Sequence, residues 1–156
     1  MTGNMPPKPV GLVPHLVVNG AIKAIEFYKK AFGATERMVI PTKDGKIMHA
    51  ELEVGDSPVM LGEENPAWPE MKSAESMGGS PISLAIYVKD VDAGYKQAVA
   101  AGAKGLEEPK EAFWGDRYGK VSDPFGYTWM ILTHVKDVPV EQMKKAALEF
   151  AAHGGR

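Results

Sequence analysis

The chain has 156 residues and no cysteine. It is long enough to bury a core without covalent staples, and disulfides, thiolate-bound metals and thiol nucleophiles are excluded. Eighteen basic residues against twenty acidic ones leave a net charge of −2 with no basic stripe, which argues against a nucleic-acid partner. The apolar runs are too short to span a bilayer and Met1–Pro9 lacks a continuous apolar core, so a soluble cytoplasmic protein is expected.

Met1–Pro9 reads as a proline-rich lead-in, and Val10 to Val18 as a first strand. A helix follows over Ala21–Phe32, where Ile22, Ile25, Phe27, Tyr28 and Phe32 form one apolar stripe and Gly33 stands just past the end. Glu36–Pro41 is a second short strand, and Asp44-Gly45 is a hairpin signal. The third strand alternates from Ile47, with Met48, Ala50, Leu52 and Val54 on one face and His49, Glu51 and Glu53 on the other. Gly55-Asp56 turns the chain into a fourth strand, Ser57–Gly62. The stretch from Glu63 to Gly79, with two prolines and two glycines, reads as a linker.

The second half repeats this order. It predicts a strand over Ile82–Val88, a helix over Val91–Ala101, a weak strand near Leu106, and strands over Tyr118–Ser122 and Tyr127–Thr133. Asp123-Pro124-Phe125-Gly126 is the turn before the last of these. A final amphipathic helix begins near Pro139, with Val140, Met143, Ala146, Ala147, Phe150 and Ala151 on its apolar side. The halves match in detail: Val18 and Val88, and likewise Met60 and Met130, stand seventy residues apart, and both helices stop at Gly-Ala. Such a duplication builds two similar half-sheets, and the groove between them is a natural ligand site.

These elements resemble the vicinal oxygen chelate superfamily of glyoxalases, bleomycin-resistance proteins and dioxygenases. The resemblance rests on the repeated order, on Ala24-Ile25-Glu26-Phe27-Tyr28 with Phe32-Gly33-Ala34, and on Asp123-Pro124-Phe125-Gly126-Tyr127. His49-Ala50-Glu51-Leu52, Gly55-Asp56-Ser57 and Trp114-Gly115-Asp116-Arg117 look most like its PhnB-like branch. The resemblance implies an α+β fold of two tandem βαβββ modules, forming a half-open barrel-like sheet around a cavity, with a C-terminal helix added. The expected division is a lead-in over 1–9, modules over 10–62 and 80–134, a linker over 63–79, and a helix and tail over 135–156. It also implies a homodimer, often built by exchange of modules. The metal ligands of the superfamily's enzymes would fall at Val13, Met60, Ser83 and Met130, none of which is His, Asp or Glu, so no metal cofactor is expected.

Candidate catalytic residues are His15, His49 and Glu51. His15 shares a strand face with Val13, and a carboxylate beside an imidazole, as in His49 and Glu51, fixes its tautomer and raises its basicity. The plain alternative is the polar face of an alternating strand, a row that Glu53 continues. Candidate ligand-binding residues are Met60, Tyr87, Trp114, Arg117 and Met130: an adaptable thioether floor, aromatic faces for stacking, and a guanidinium fork for a carboxylate or phosphate. Each has a structural alternative in the core, at a sheet edge or in a turn. The leading expectation is a metal-independent small-molecule binder with a pocket between the modules. The alternatives are a lyase or isomerase using His15, His49 and Glu51 as acid–base groups or a displaced metal site, and a protein-interaction scaffold.

Overall fold

The computed structural model describes residues 11–152. The lead-in over Met1–Pro9, the start of the first strand at Val10, and residues 153–156 of the expected tail lie outside them. The first module runs β1 (His15–Val18), α1 (Ala21–Phe32), β2 (Thr35–Pro41), β3 (Ile47–Val54), β4 (Ser57–Glu63). The second runs β5 (Ser83–Tyr87), α2 (Val91–Ala101), β6 (Lys104–Glu111), β7 (Asp116–Ser122), β8 (Thr128–His134), and α3 (Val140–Ala152) follows. Each module is a mixed four-stranded sheet, ordered β1-β4-β3-β2 and β5-β8-β7-β6, with β1 parallel to β4 and β5 parallel to β8. These are two tandem βαβββ modules with an appended helix.

The two module helices start differently. Asp90 caps α2 locally, its side chain accepting from the Ala93 N–H at 3.0 Å. Gly20, at the head of α1, has no side chain to offer. The Glu63 carboxylate at the end of β4 instead accepts from the N–H groups of Gly20 (2.7 Å) and Ala21 (2.8 Å), and its charge also suits the helix dipole. Gly33 ends α1 at φ 65° with its N–H on the Lys29 carbonyl, a left-handed conformation that favours glycine.

α1 and α2 pack against each other, and one continuous core joins the modules. Phe32 lies 4.4 Å from Trp129 between ring centres, and Tyr28 lies 5.5 Å from it. Asp123 holds the joint. Its buried carboxylate accepts from the backbone N–H of Phe125 and Tyr127 (both 2.9 Å), from Trp129 Nε1 (2.9 Å), and from the Tyr28 hydroxyl of α1 (2.7 Å). The Tyr127 hydroxyl then bonds both the N–H and the carbonyl of Val17 in β1. Glu63 belongs to β4, and the rest of the expected linker, 64–79, is turns rather than strand or helix, but it is not loose. Ser73 and Ala74 are buried in it, and Glu64 accepts from the Ser73 N–H (3.1 Å) and the Ser76 hydroxyl (2.7 Å). Gly126, at φ 92°, lets the Asp-Pro-Phe-Gly turn sit on this segment, where a Cβ would come within 3.0 Å of the Ala74–Glu75 backbone.

Three local expectations change. β1 starts at His15, because residues 11–14 form no ladder. β6 is a full eight-residue edge strand; Pro109 and its run of charges weaken its pattern, and both are tolerated at an edge. On β3, a bulge lies where the pairing passes from Ile40–His49 to Pro41–Ile47. It turns Ile47 inward (6% exposed) and leaves Met48 outward (53% exposed), against the alternation expected for that position. α3 buries no side chain fully, and it meets the second module where Phe150 lies 6.0 Å from Phe113.

Candidate functional site

Each sheet turns one face to the helix layer and the other away from it. On β3, Ala50, Leu52 and Val54 are buried with α1, so alternation sends His49, Glu51 and Glu53 to the far face. On β1, Leu16 and Val18 go inward and His15 outward; on β4, Val59 and Leu61 go inward and Met60 outward. The register aligns His15 with Met60 and Met60 with Glu51, making a row across three neighbouring strands. The rings of His15 and His49 are 6.0 Å apart, and His49 Nε2 lies 3.7 Å from Glu51 Oε1. The three candidate catalytic residues thus share one face. The His15 residue is exposed as a whole, yet its ring packs over Gly62, where a Cβ would lie 3.0 Å from Nε2. Partial burial of the ring, and secondarily the neighbouring His49, lower the pKa of His15 below its ordinary 6.5. A neutral imidazole can accept a proton from a ligand.

The second sheet repeats the arrangement with different groups. Trp129 and Ile131 of β8 go inward, leaving Met130 on the far face. Lys120 lies opposite Met130 and Tyr118 opposite Leu132, and on the other flank Tyr87 pairs with Leu132. Trp114 stacks obliquely on Tyr118, with centres 5.2 Å apart. Glu107 of β6 accepts from Lys120 (2.7 Å), from the Tyr118 hydroxyl (3.1 Å) and from Lys110 (3.0 Å). The bonds from Lys120 and Lys110 carry its pKa down to about 2. At the end of the sheet Asp116, 5% exposed, accepts from Trp114 Nε1 (3.0 Å) and the Tyr87 hydroxyl (3.0 Å) and pairs with His134 Nδ1 (2.8 Å). Burial alone would raise the pKa of Asp116, but bonds from His134, Tyr87 and Trp114 outweigh it and hold the carboxyl below its ordinary value.

The candidates therefore gather in two groups, His15, His49, Glu51 and Met60 on the first sheet and Tyr87, Trp114 and Met130 on the second. Arg117 joins neither. Alternation along β7 turns it to the α2 side, where its guanidinium grips Asp92 at 2.8 and 2.9 Å. A groove of about 440 Å³ does run between the modules, walled by Pro14 and Pro58 from one and Leu84, Tyr87 and Trp129 from the other. Of the candidates, only Tyr87 lines it. From the sequence, Asp116 reads as a turn partner of Arg117 and Tyr118 as an ordinary strand residue, and Lys120 and His134 carry no signal. Starting β7 at Asp116 and following its alternation would have put the first three on the face of Met130.

The positions where the sequence resemblance would put the superfamily's metal ligands hold two thioethers, an isopropyl group and one hydroxyl (Met60, Met130, Val13 and Ser83). That donor set does not fit a hard divalent cation, which takes carboxylate, carbonyl or imidazole ligands. Among the described residues no group of three His, Asp or Glu is arranged to hold a metal ion, and no helix is long and apolar enough to cross a membrane.

Comparison with known proteins agrees with this architecture. The model of the Glyoxalase/Bleomycin resistance protein/Dioxygenase superfamily matches residues 12–131. An uncharacterised protein of Mycobacterium bovis is 42% identical over 137 residues, spanning 86% of this chain and 90% of its own. The X-ray structure of an Arabidopsis thaliana gene product is 31% identical, with a TM-score of 0.64 over 80% of this chain and 98% of that one. The crystal structure of TioX from Micromonospora sp. ML1 is 24% identical, with a TM-score of 0.63 over 81% of this chain and 100% of its own, a likeness of fold alone. With its tandem modules and a family match over most of its length, the chain belongs to the glyoxalase/bleomycin resistance protein/dioxygenase superfamily.

Proposed function

We propose that the chain is a small-molecule binder of the bleomycin-resistance kind, in the PhnB-like branch, working without the superfamily's metal. The observation that carries this reading is the matched pair of methionines, Met60 and Met130, each at the same place on its sheet. A thioether floor adapts to varied apolar bodies. His15, His49 and Glu51 beside the first, and Tyr87, Trp114, Tyr118 and Lys120 beside the second, supply polar and stacking contacts. Arg117 acts indirectly, fixing β7 to α2 through Asp92. Exposed apolar side chains on the sheets, Met38 and Tyr87 among them, favour a homodimer in which a second copy covers them.

One observation favours the enzyme alternative. His15, with its lowered pKa, stands beside His49 and Glu51 on one face, a set suited to moving a proton in a lyase or isomerase. Native mass spectrometry after dialysis against nickel, zinc, manganese and iron(II) tests both parts of the proposal. A metal-free dimer is expected. Stoichiometric metal that disappears in His15→Ala or His49→Ala overturns the metal-free reading in favour of the enzyme, and a monomer overturns the covered-face reading. A tryptophan-fluorescence screen then seeks the ligand, with Trp114→Phe as the variant that must lose the signal.

A further inference from the structure

Asp116 and His134 form a unit that the sheet-face ligand does not require. The buried Asp116 carboxylate cannot swing out, because Trp114, Tyr87 and His134 all bond to it. A buried carboxylate needs such partners, and its effect is to hold the His134 ring by Nδ1. Nε2 is therefore the imidazole's remaining nitrogen, and there it meets Asp137 Oδ1 at 3.0 Å. The side chain of Asp137 is fully exposed and sits on the irregular connector between β8 and α3. An exposed pair of this kind is worth little, so a competing carboxylate can displace it.

Asp137 also lines a groove of about 460 Å³ between the Phe113 turn and α3. Phe113, Val138 and Ala146 give it an apolar wall, Lys136 and Lys145 bring two positive charges and Asp137 and Glu149 two negative ones, and His134 stands behind Asp137 at the groove's edge. Phe113 meets Trp114 edge-on at 5.1 Å and Phe150 at 6.0 Å, so the wall continues into an aromatic row. With the groove's charges balanced, the feature that selects a ligand is the His134 imidazole, already paired to a carboxylate at the edge of an apolar wall. We propose that this groove binds a small aromatic monocarboxylate, whose carboxylate takes His134 Nε2 from Asp137 while its ring lies on Phe113. In the free protein Asp137 is the tethered stand-in for that ligand. The bonds from Asp116 and Asp137 raise the pKa of His134, which favours the imidazolium that donates from both nitrogens.

Benzoate is the probe and benzamide its uncharged control, titrated into the isotope-labelled full chain at pH 6.5 and followed by NMR. Benzoate is expected to shift the His134 ring and Phe113 signals, and benzamide to leave them unmoved. His134→Gln should weaken benzoate about two- to fivefold, the weight of an exposed ion pair. Asp137→Asn should tighten it several-fold by removing the internal competitor, whereas Glu149→Gln, which removes an equal charge from the same groove without freeing His134, should tighten it much less. His15→Ala should leave benzoate binding unchanged, which separates this site from the sheet face of the first module. The proposal is overturned if benzoate shifts neither residue, if benzamide binds equally well, or if Asp137→Asn weakens binding. Unchanged indole signals of Trp129 in each variant establish that the core is intact.

Discussion

Across the β3–β4 pair the residue opposite Met60 is Glu51; across β7–β8 the residue opposite Met130 is Lys120. In the next row outward His49 stands on the first sheet, where Tyr118 stands on the second. The same divergence reaches the histidines. His15, pressed over Gly62 beside His49, has a lowered pKa, whereas His134, between Asp116 and Asp137, has a raised one. The helix-facing positions, by contrast, stay apolar in both modules, as Leu61 and Ile131 show. A core position is constrained by packing, in which one methylene is felt. A position on the far face answers to partner and solvent, and there the two modules have moved to opposite charge and opposite basicity.

The comparison is most severely tested at the joint, since it treats two modules as one unit. Asp123→Ala leaves four donors without their acceptor and is expected to cost about 3–5 kcal/mol, read by chemical denaturation. A single transition with a loss below about 1 kcal/mol would mean that the shared core rather than Asp123 holds the modules together, and two separate transitions in the unmutated chain would mean that they are not one unit. A smaller effect is expected from Lys120→Met, which removes the charge that sets the second face apart. The Glu107 pKa should climb from about 2 towards its ordinary 4.5 by carbon-13 NMR titration. Because the folded value is depressed, Glu107 stabilises the fold above pH 4.5 and loses that contribution as pH falls towards 2, so the variant should lose less stability on acidification. An unmoved titration would show that Lys110 and Tyr118 suffice.

The smallest expected effects are those of the histidines. Proton NMR should place the His15 midpoint below 6.5 and that of His134 above it. Their signs on stability are opposite. His134 stabilises below its unfolded value, and that contribution fades as pH rises through its folded one. The His15 contribution is present above its unfolded value and is lost as pH falls through its folded one. Midpoints in the reverse order would break the contrast between the faces. Gly62→Ala sharpens it, because the crowded ring must shift and its midpoint with it, while stability stays within about 0.5 kcal/mol.

Much of this was legible in the sequence wherever a local rule decides the outcome. α1 shows itself by Ile25, Phe27 and Tyr28 and by Gly33, although Ile22 of the expected stripe is 54% exposed, and the His49–Glu51 face shows itself by strict alternation. β6 was faint because an edge strand exposed to water needs no apolar face and tolerates Pro109. Met48 broke the pattern because the bulge depends on pairing with β2, which no window on β3 alone contains. Asp116 and His134 were missed for the same reason. They come together only when β7 and β8 pair and Tyr87, 29 residues away, reaches in. Arg117 read as a free fork, and its partner Asp92 lies 25 residues upstream on another element.

The long-range cap on α1 bears on the order in which the chain can fold. α2 is closed at both ends by its neighbours, Asp90 and Gly102, so its first turn can be completed as soon as the Asp90 side chain meets the Ala93 N–H. The first turn of α1 draws its acceptor from Glu63, 43 residues further along. Starting a helix is the costly step, and here the stabilising group arrives only after β2, β3 and β4 have been threaded and the intervening loop closed. The first turn of α1 is therefore expected to be completed late, once β4 has docked, from the Gly33 end backwards.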